Sequence, residues 1–307
     1  MPESTEESSS IPQIAIWGAT NVGKTVYLAG AMLALDTFYP EEWTWDKGGE
    51  SADRDKTSEF IRYQIAKLQR GSLLLGATPP GKPDRFVFQL EQQGNRWGTK
   101  GRYHEIALID IAGVAIEDSS DRHKYFETLR SSQGILMLID PNLKNEYEAA
   151  APEISKEEFS YYQLIDLLAE HLQTAHALGP PLTIPVAICL TKIDQEEHWR
   201  HHDEPRKYLE NTLGKAPFNR LNKIFRKKEF FAVSVAGRCK DKRQPGKEIS
   251  NMDLQTGCLI NPKQWQPYKV LDPLFWLLDE LEAERDQRLS WGRRALRRMV
   301  RERNYKK

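Results

Sequence analysis

The sequence predicts an α/β fold in three layers: a mostly parallel six-stranded sheet with one antiparallel edge strand, and helices on both faces. Two observations carry this. From residue 12 onward, short apolar runs alternate with longer amphipathic stretches, the order in which parallel strands and crossover helices are laid down. Several of the runs, such as Gly134-Ile-Leu-Met-Leu-Ile139 and Ile184-Pro-Val-Ala-Ile-Cys-Leu190, are almost wholly apolar, as strands covered on both faces must be. At 307 residues, 39% hydrophobic and 29% charged, the chain is large enough to bury a sizeable core.

Taken in order, strands are predicted at Gln13–Trp17, Arg85–Glu91, Tyr103–Asp110, Gly134–Asp140, Ile184–Leu190 and Glu229–Val235. Arg85–Asp110 reads as a hairpin whose turn lies in Gln93-Gly-Asn-Arg-Trp-Gly-Thr-Lys-Gly101, and it supplies the antiparallel edge strand. Helices are expected at Lys24–Leu35, Ser119–Ser132, Lys156–Ala177 and Pro205–Phe225. A last helix starts at Asp272-Pro273, with Asp as N-cap and Pro at the first helical position. Two stretches interrupt the rhythm and read as insertions in one decorated domain. One spans residues 36–84, with a helical piece at Ser58–Gln69 and a Trp43/Trp45 pair read as local packing or a partner surface. The other spans 237–269 and is rich in Lys, Gln, Gly and Pro.

The net charge is zero, so composition alone selects no partner. From Arg285 to Lys307, however, ten Arg/Lys stand against Asp286 and Glu302, a basic helical tail suited to an anionic surface or an acidic partner. Residues 1–11 are acidic and polar, the opposite of a secretory signal, and read as a disordered lead-in. No run of eighteen apolar residues occurs, so no integral membrane segment is expected. Cys189, Cys239 and Cys258 make no zinc or disulfide spacing, which points to reduced thiols and a cytoplasmic location. His198-Trp-Arg-His201-His202-Asp203 also lacks a zinc spacing and reads as a solvated loop.

Chemistry enters at Gly18-Ala-Thr-Asn-Val-Gly23-Lys24-Thr25, a GxxxxGK[ST] loop lying between an apolar strand and a helix. Such a loop turns successive backbone N–H groups toward phosphates at the positive end of the following helix. Gly18, Asn21, Val22, Gly23, Lys24 and Thr25 are therefore the candidate phosphate contacts. Lys24 supplies a point charge to the β- and γ-phosphates, and Thr25 a hydroxyl to Mg²⁺. Asp110, closing the strand Ile106-Ala-Leu-Ile-Asp110 ahead of Gly113, is placed to hold the same ion. Thr191-Lys192-Ile193-Asp194 follows the next-to-last strand. A carboxylate there can accept from both N1–H and the exocyclic amine of guanine, donors that adenine lacks, while the Lys192 stem lies along the base.

The ordered set Gly18–Thr25, Asp110-x-x-Gly113, Thr191-Lys-x-Asp194 and Ser234-Val-Ala236 resembles the motif series of translation-factor-related (TRAFAC class) P-loop GTPases. The match runs from the first strand through Ala236, with the closing helix beyond. The long segment before the second strand, the run Leu138-Ile-Asp-Pro141 and the ending Asp272-Pro-Leu-Phe-Trp276 are further reminiscent of bacterial GTPase-like proteins that occur as paired domains. The resemblance implies a G domain over 12–284, with Gly113 N–H contacting the γ-phosphate and Ser234-Val235 approaching guanine O6. It also implies a switch threonine completing the Mg²⁺ shell. Thr78 is the candidate, with Thr57 as the alternative and a simple turn as the bland reading.

Two departures bear on turnover. Val114 stands where many small GTPases carry the glutamine that orients the attacking water, and Thr20 where many carry glycine. Asn21 resembles the loop asparagine of GTPases that hold K⁺ beside the phosphates, though asparagine is also a common residue of strained turns. The expectation is thus a GTP/GDP-binding switch with slow Mg²⁺-dependent hydrolysis, served catalytically by Lys24, Asn21 and Thr78. It would signal to a protein effector or activator; the alternative is a catalytically inactive nucleotide-holding module.

Overall fold

A computed structural model describes residues 12–19, 22–45, 52–70, 84–93, 102–110, 122–142, 165, 168–170 and 181–288. In chain order the elements are β1 (Gln13–Trp17), α1 (Lys24–Phe38), β2 (Trp43–Trp45), α2 (Ala52–Gln69), β3 (Asp84–Gln92), β4 (Arg102–Asp110), α3 (Arg122–Ser131) and β5 (Gly134–Ile139). There follow β6 (Val186–Leu190), α4 (Glu196–Trp199), α5 (Pro205–Leu213), α6 (Lys215–Ile224) and β7 (Lys228–Ala232). The chain then runs through β8 (Arg238–Lys240), β9 (Glu248–Ser250), β10 (Met252–Asp253), β11 (Cys258–Leu259), a 3₁₀ turn at Pro262–Gln264, and α7 (Asp272–Arg288).

The main sheet has seven strands in the order β2-β3-β4-β1-β5-β6-β7. From β4 through β7 every pairing is parallel. β3 runs antiparallel to β4, and β2 antiparallel to β3. The expected six strands with an antiparallel strand at the edge are therefore corrected: β2 takes the edge, and β3 lies one place inside it. Trp43 and Trp45 lie in this strand, with Trp43 opposite Gln92 and Trp45 opposite Leu90. Side chains hold it there. Trp43 stacks on Phe275 of α7 at 5.1 Å, and Trp45 Nε1 donates to Asp36 Oδ1 at 2.8 Å.

Period-two alternation along the buried strands divides the core in two. Ala15 and Trp17 of β1, with Ile135, Met137 and Ile139 of β5, face one side. There they meet Phe126 and Leu129 of α3, Ile165 and Leu168, Leu209 of α5, and Phe218 and Leu221 of α6. Ile14, Ile16, Leu136 and Leu138 face the other side, against α1 and the Leu274, Leu277 and Leu278 stripe of α7. Helices thus cover both faces, which is why the strands read as unbroken apolar runs. α1 and α7 are tied directly, Tyr27 Oη donating to Val270 O at 2.7 Å. Burial raises the Tyr27 pKa well above its ordinary value, keeping the phenol a donor.

The helix expected over Pro205–Phe225 is two helices, broken at Gly214, whose backbone (φ 79, ψ 164) leaves the helical region. The stretch 237–269 is likewise built rather than loose, with two short hairpins, β8–β9 and β10–β11. Asn251, fully buried, is its keystone. Its N–H donates to Gly237 O (2.9 Å), its Nδ2 to Asn261 O (3.1 Å), and its Oδ1 accepts from Asn261 N (2.7 Å). Tyr268 exchanges two backbone bonds with Ser234, and Trp265 Nε1 donates to Val235 O at 2.7 Å, fastening the stretch to the end of the sheet. Cys189, Cys239 and Cys258 are all free. Among the described residues, no helix is long and apolar enough to cross a membrane.

Candidate functional site

β1 ends at Trp17 and delivers Gly18 against the neighbouring strand. A Cβ there would stand 2.6 Å from Leu138 O, so glycine is what lets the loop lie flat on β5. At the far end of the loop Gly23 adopts the left-handed conformation (φ 96, ψ 28) and caps α1. The helix then opens with Tyr27 N donating to Gly23 O at 2.8 Å. The first N–H groups of α1 have no partner within the helix, and the helix dipole adds positive potential at that end. Lys24 is buried, and its Nζ donates to Gly18 O and Ala19 O, each at 3.0 Å. The ammonium is thereby folded back over the loop that it is expected to serve. Val22 is buried beneath the loop, and Thr25 sits half-buried in the first turn of α1.

Asp110 closes β4 in register with Ile16, which places that strand end beside the start of the loop. Thr57 stands on α2, within Ala52–Gln69. Thr20, Asn21, Thr78, Gly113 and Val114 lie outside the described residues, as does the Asp110 side chain.

The third motif leaves β6 and turns back toward the loop. Thr191 Oγ1 lies 3.3 Å from both Val22 O and Ile139 O, and Thr191 N donates to Ile139 O at 2.8 Å. One side chain thus joins the candidate phosphate and base ends of the site. Lys192 takes positive φ (54), and its ammonium pairs with the buried Asp140 carboxylate, which fixes the course of its stem. Asp194 is only 3% exposed. Its Oδ1 accepts from Ser234 Oγ and its Oδ2 from Ser250 Oγ. Ser234 Oγ in turn accepts from Gly237 N at 2.8 Å. Val235, half-buried, packs tightly over Gly30 of α1, where an added Cβ would meet Val235 Cγ1 at 2.5 Å. The structure therefore gathers Gly18, Val22, Gly23, Lys24, Thr25, Thr191, Lys192, Asp194, Ser234 and Val235 at the C-terminal ends of β1, β5, β6 and β7, where open α/β sheets hold ligands.

His198 is not the solvated loop residue expected from the sequence; it is buried. Its Nδ1 lies 2.6 Å from Tyr208 Oη and its Nε2 2.7 Å from Asn142 Oδ1. Asn142 Oδ1 can only accept, which assigns the ring proton to Nε2 and leaves Nδ1 to accept from the phenol. Desolvation lowers the His198 pKa, outweighing the raising influence of Glu197, Asp140 and Asp194. His201 stacks on Tyr208 at 4.3 Å and His202 on Trp199 at 4.2 Å, so the cluster is a packed wall behind the base-side loop. Among the described residues no group of three His, Cys, Asp or Glu side chains is arranged to hold a metal.

Two residues at this site were invisible in the sequence, Ser250 and Arg238. Arg238 Nη1 donates to Asp194 O at 2.7 Å, and Nη2 meets Glu196 Oε2 at 2.9 Å. The guanidinium also lies 5.0 Å from the Trp199 ring. Both come from the 237–269 stretch, far along the chain and within no motif, so only the fold brings them to Asp194.

No protein-family model matches the chain, and no curated protein sequence matches it. Among solved structures it is similar to the Arl6 BBS3 small GTPase from Trypanosoma brucei with a bound GppNp analogue. That match has 12% identity and a TM-score of 0.40 over 88% of this chain and 96% of that one. It is also similar to the GTPase-like domain of S. cerevisiae Ski7 bound to GTP, with 16% identity and a TM-score of 0.33 over 76% of this chain and 45% of that one. The same domain bound to GDP and inorganic phosphate gives 16% identity and a TM-score of 0.30, over 73% and 43% of the two chains. This chain's own residues carry the functional reading.

Proposed function

We propose that the chain binds GTP and GDP as a TRAFAC-type switch, with slow Mg²⁺-dependent hydrolysis of GTP to GDP and phosphate. The single observation that carries this is the Thr191 hydroxyl between Val22 O and Ile139 O, which seats a Thr-Lys-x-Asp loop directly beside a Gly-x-x-x-x-Gly-Lys-Thr loop. In this reading the backbone of Gly18–Thr25 cradles the phosphates, Lys24 neutralises the β- and γ-oxygens, and Asp194 reads N1–H and the exocyclic amine of guanine. The Lys192 stem lies along the base, Ser234-Val235 approach its O6 edge, and Gly113 N–H meets the γ-phosphate.

Mg²⁺ takes hard oxygen donors, and the hydroxyl of Thr25 and the carboxylate of Asp110 are of that kind. The register of Asp110 against Ile16, two residues before the loop, supports this reading by bringing the end of β4 beside the start of the loop. Thr78 is proposed to complete the shell, and Asn21 to hold K⁺ in the same neighbourhood. Residues 12–284 would form the GTPase domain, and GTP would be read out by ordering of 36–84 and the segment after Gly113, engaging a protein effector in the cytoplasm. The basic tail, 285–307, would contact an anionic surface.

Val114 favours one second reading. A hydrocarbon side chain cannot orient water, so the chain could hold nucleotide as an interaction module without turnover. Nucleotide recovered from the purified protein, followed by competition and a timed hydrolysis assay, tests both. GTP and GDP should displace a bound guanine nucleotide while ATP and ADP do not. Equal competition by ADP would reject the guanine reading, and bound GTP that never converts to GDP would favour the inactive module.

A further inference from the structure

We infer that Ser250, carried by the 237–269 insertion, is a positioning residue of the base site, presetting the Asp194 carboxylate for guanine. The inference rests on the guanine reading above and adds to it a part of the chain that no motif includes.

A carboxylate offers about four lone-pair directions, two on each oxygen. Ser234 occupies one on Oδ1, and Ser250 one on Oδ2. One direction on each oxygen remains for the pair of N–H donors on guanine. Held at both oxygens, the carboxylate cannot turn about χ2, a torsion that is otherwise broad for aspartate. Ser250 is itself well oriented. Its Oγ accepts from Met252 N at 3.1 Å, which directs the O–H toward Asp194. Its neighbour Asn251 is fully buried and makes four hydrogen bonds, so the backbone under Ser250 is fixed. Arg238 provides a second, independent grip of the same hairpin on the same residue. It donates to the Asp194 carbonyl while its Nη2 also donates to Glu248 O on β9. The insertion therefore holds Asp194 by both its main chain and its side chain.

The consequence is selective. Guanine engages Asp194 through two donors and benefits from a preset acceptor, whereas adenine presents no such pair and gains nothing from it. Binding of fluorescent GDP and ADP to nucleotide-free, full-length protein separates this from a merely structural role. Ser250→Ala should weaken GDP about tenfold, the loss expected for one hydrogen bond to a charged acceptor, and change ADP less than twofold. Ser250→Thr keeps the hydroxyl and should bind GDP as the unaltered chain does, while the equally shaped Ser250→Val should behave as Ser250→Ala. If the alanine variant does not fold, the threonine and valine pair decides alone. Unchanged GDP affinity in the hydroxyl-less variants, or equal losses of GDP and ADP, overturns the inference. Asp194→Asn, assayed with xanthosine diphosphate, tells that failure apart from a failure of the guanine reading. A gain for xanthine beside an unaffected Ser250→Ala sinks only the role of Ser250; no gain for xanthine sinks the guanine reading with it.

Discussion

Gly18→Ala perturbs the candidate phosphate loop through packing alone. The new methyl would stand 2.6 Å from Leu138 O and 2.9 Å from Val22 Cγ1. The first contact is with backbone in the middle of the sheet, so the loop must move away from β5 by about 0.8 Å to restore ordinary contact. Overpacking of this kind costs about 1–3 kcal/mol, which for a domain of this size lowers Tm by roughly 2–5 °C. The same shift moves the N–H cradle and the two carbonyls that hold Lys24, so GDP should bind about tenfold more weakly, the loss expected for one hydrogen bond to a charged group. Calorimetry with titration of GDP and Mg²⁺ should show both losses together. Gly214→Ala is the comparison: φ is 79 and nothing lies within 4 Å of the added methyl, so strain lowers stability with no effect at the loop. GDP affinity in Gly18→Ala within threefold of the unaltered chain would refute the claim that contact with Leu138 sets the loop.

Lys24→Met should weaken GTP by about 100-fold or more, because a charge-assisted contact is lost, with a stability loss of about 2–6 kcal/mol from taking the Lys24 donor away from the buried Gly18 O and Ala19 O; equal GTP affinity by titration would contradict its role. GTP turnover compared in K⁺ and Na⁺ should be faster in K⁺ if Asn21 holds the cation, and equal rates remove that ion. For His198, the folded pKa lies below its ordinary value of 6.5, so the unfolded chain binds the extra proton first. Its contribution to stability is full above 6.5 and declines as pH falls through the window below it, with a slope of at most about 1.4 kcal/mol per pH unit. Denaturant titrations from pH 7.5 to 5 should show a shallower slope in His198→Gln, and an unchanged slope would exclude His198 as the group responsible.

β1, β5 and β6 were legible because they are buried on two faces, and α5 and α6 because their apolar residues recur on one side. What escaped the sequence was short or long-range. β2 has three residues, too few for periodicity, and its partner lies some forty-five residues later. The hairpins of 237–269 have strands of two or three residues each, held by Asn251 and not by any apolar pattern. His198 looked solvated among polar neighbours, and only Tyr208 and Asn142, drawn from separate segments, make its burial tolerable. Motif spacing located the candidate phosphate and base loops, since those residues act through local backbone shape. Ser250 and Arg238 act across the fold, and their place beside Asp194 follows from the path of the insertion alone.

The contact between Tyr27 and Val270 spans 243 residues and has a consequence for how the protein is made. α1 and the loop before it leave the ribosome well before α7. Yet the face of α1 that seats them shares its core with α7, near the end of the described chain, and Phe275 of that helix also backs the Trp43 edge of the sheet. A nascent chain thus carries its phosphate-loop sequence long before it has the packing that shapes it, and contacts of such separation are slow to form. Chains ending before Asp272 are expected to bind no GDP and to be cut readily by protease, whereas chains ending after Arg288 should bind it. GDP binding by the shorter chains would show that the loop is shaped without its last helix.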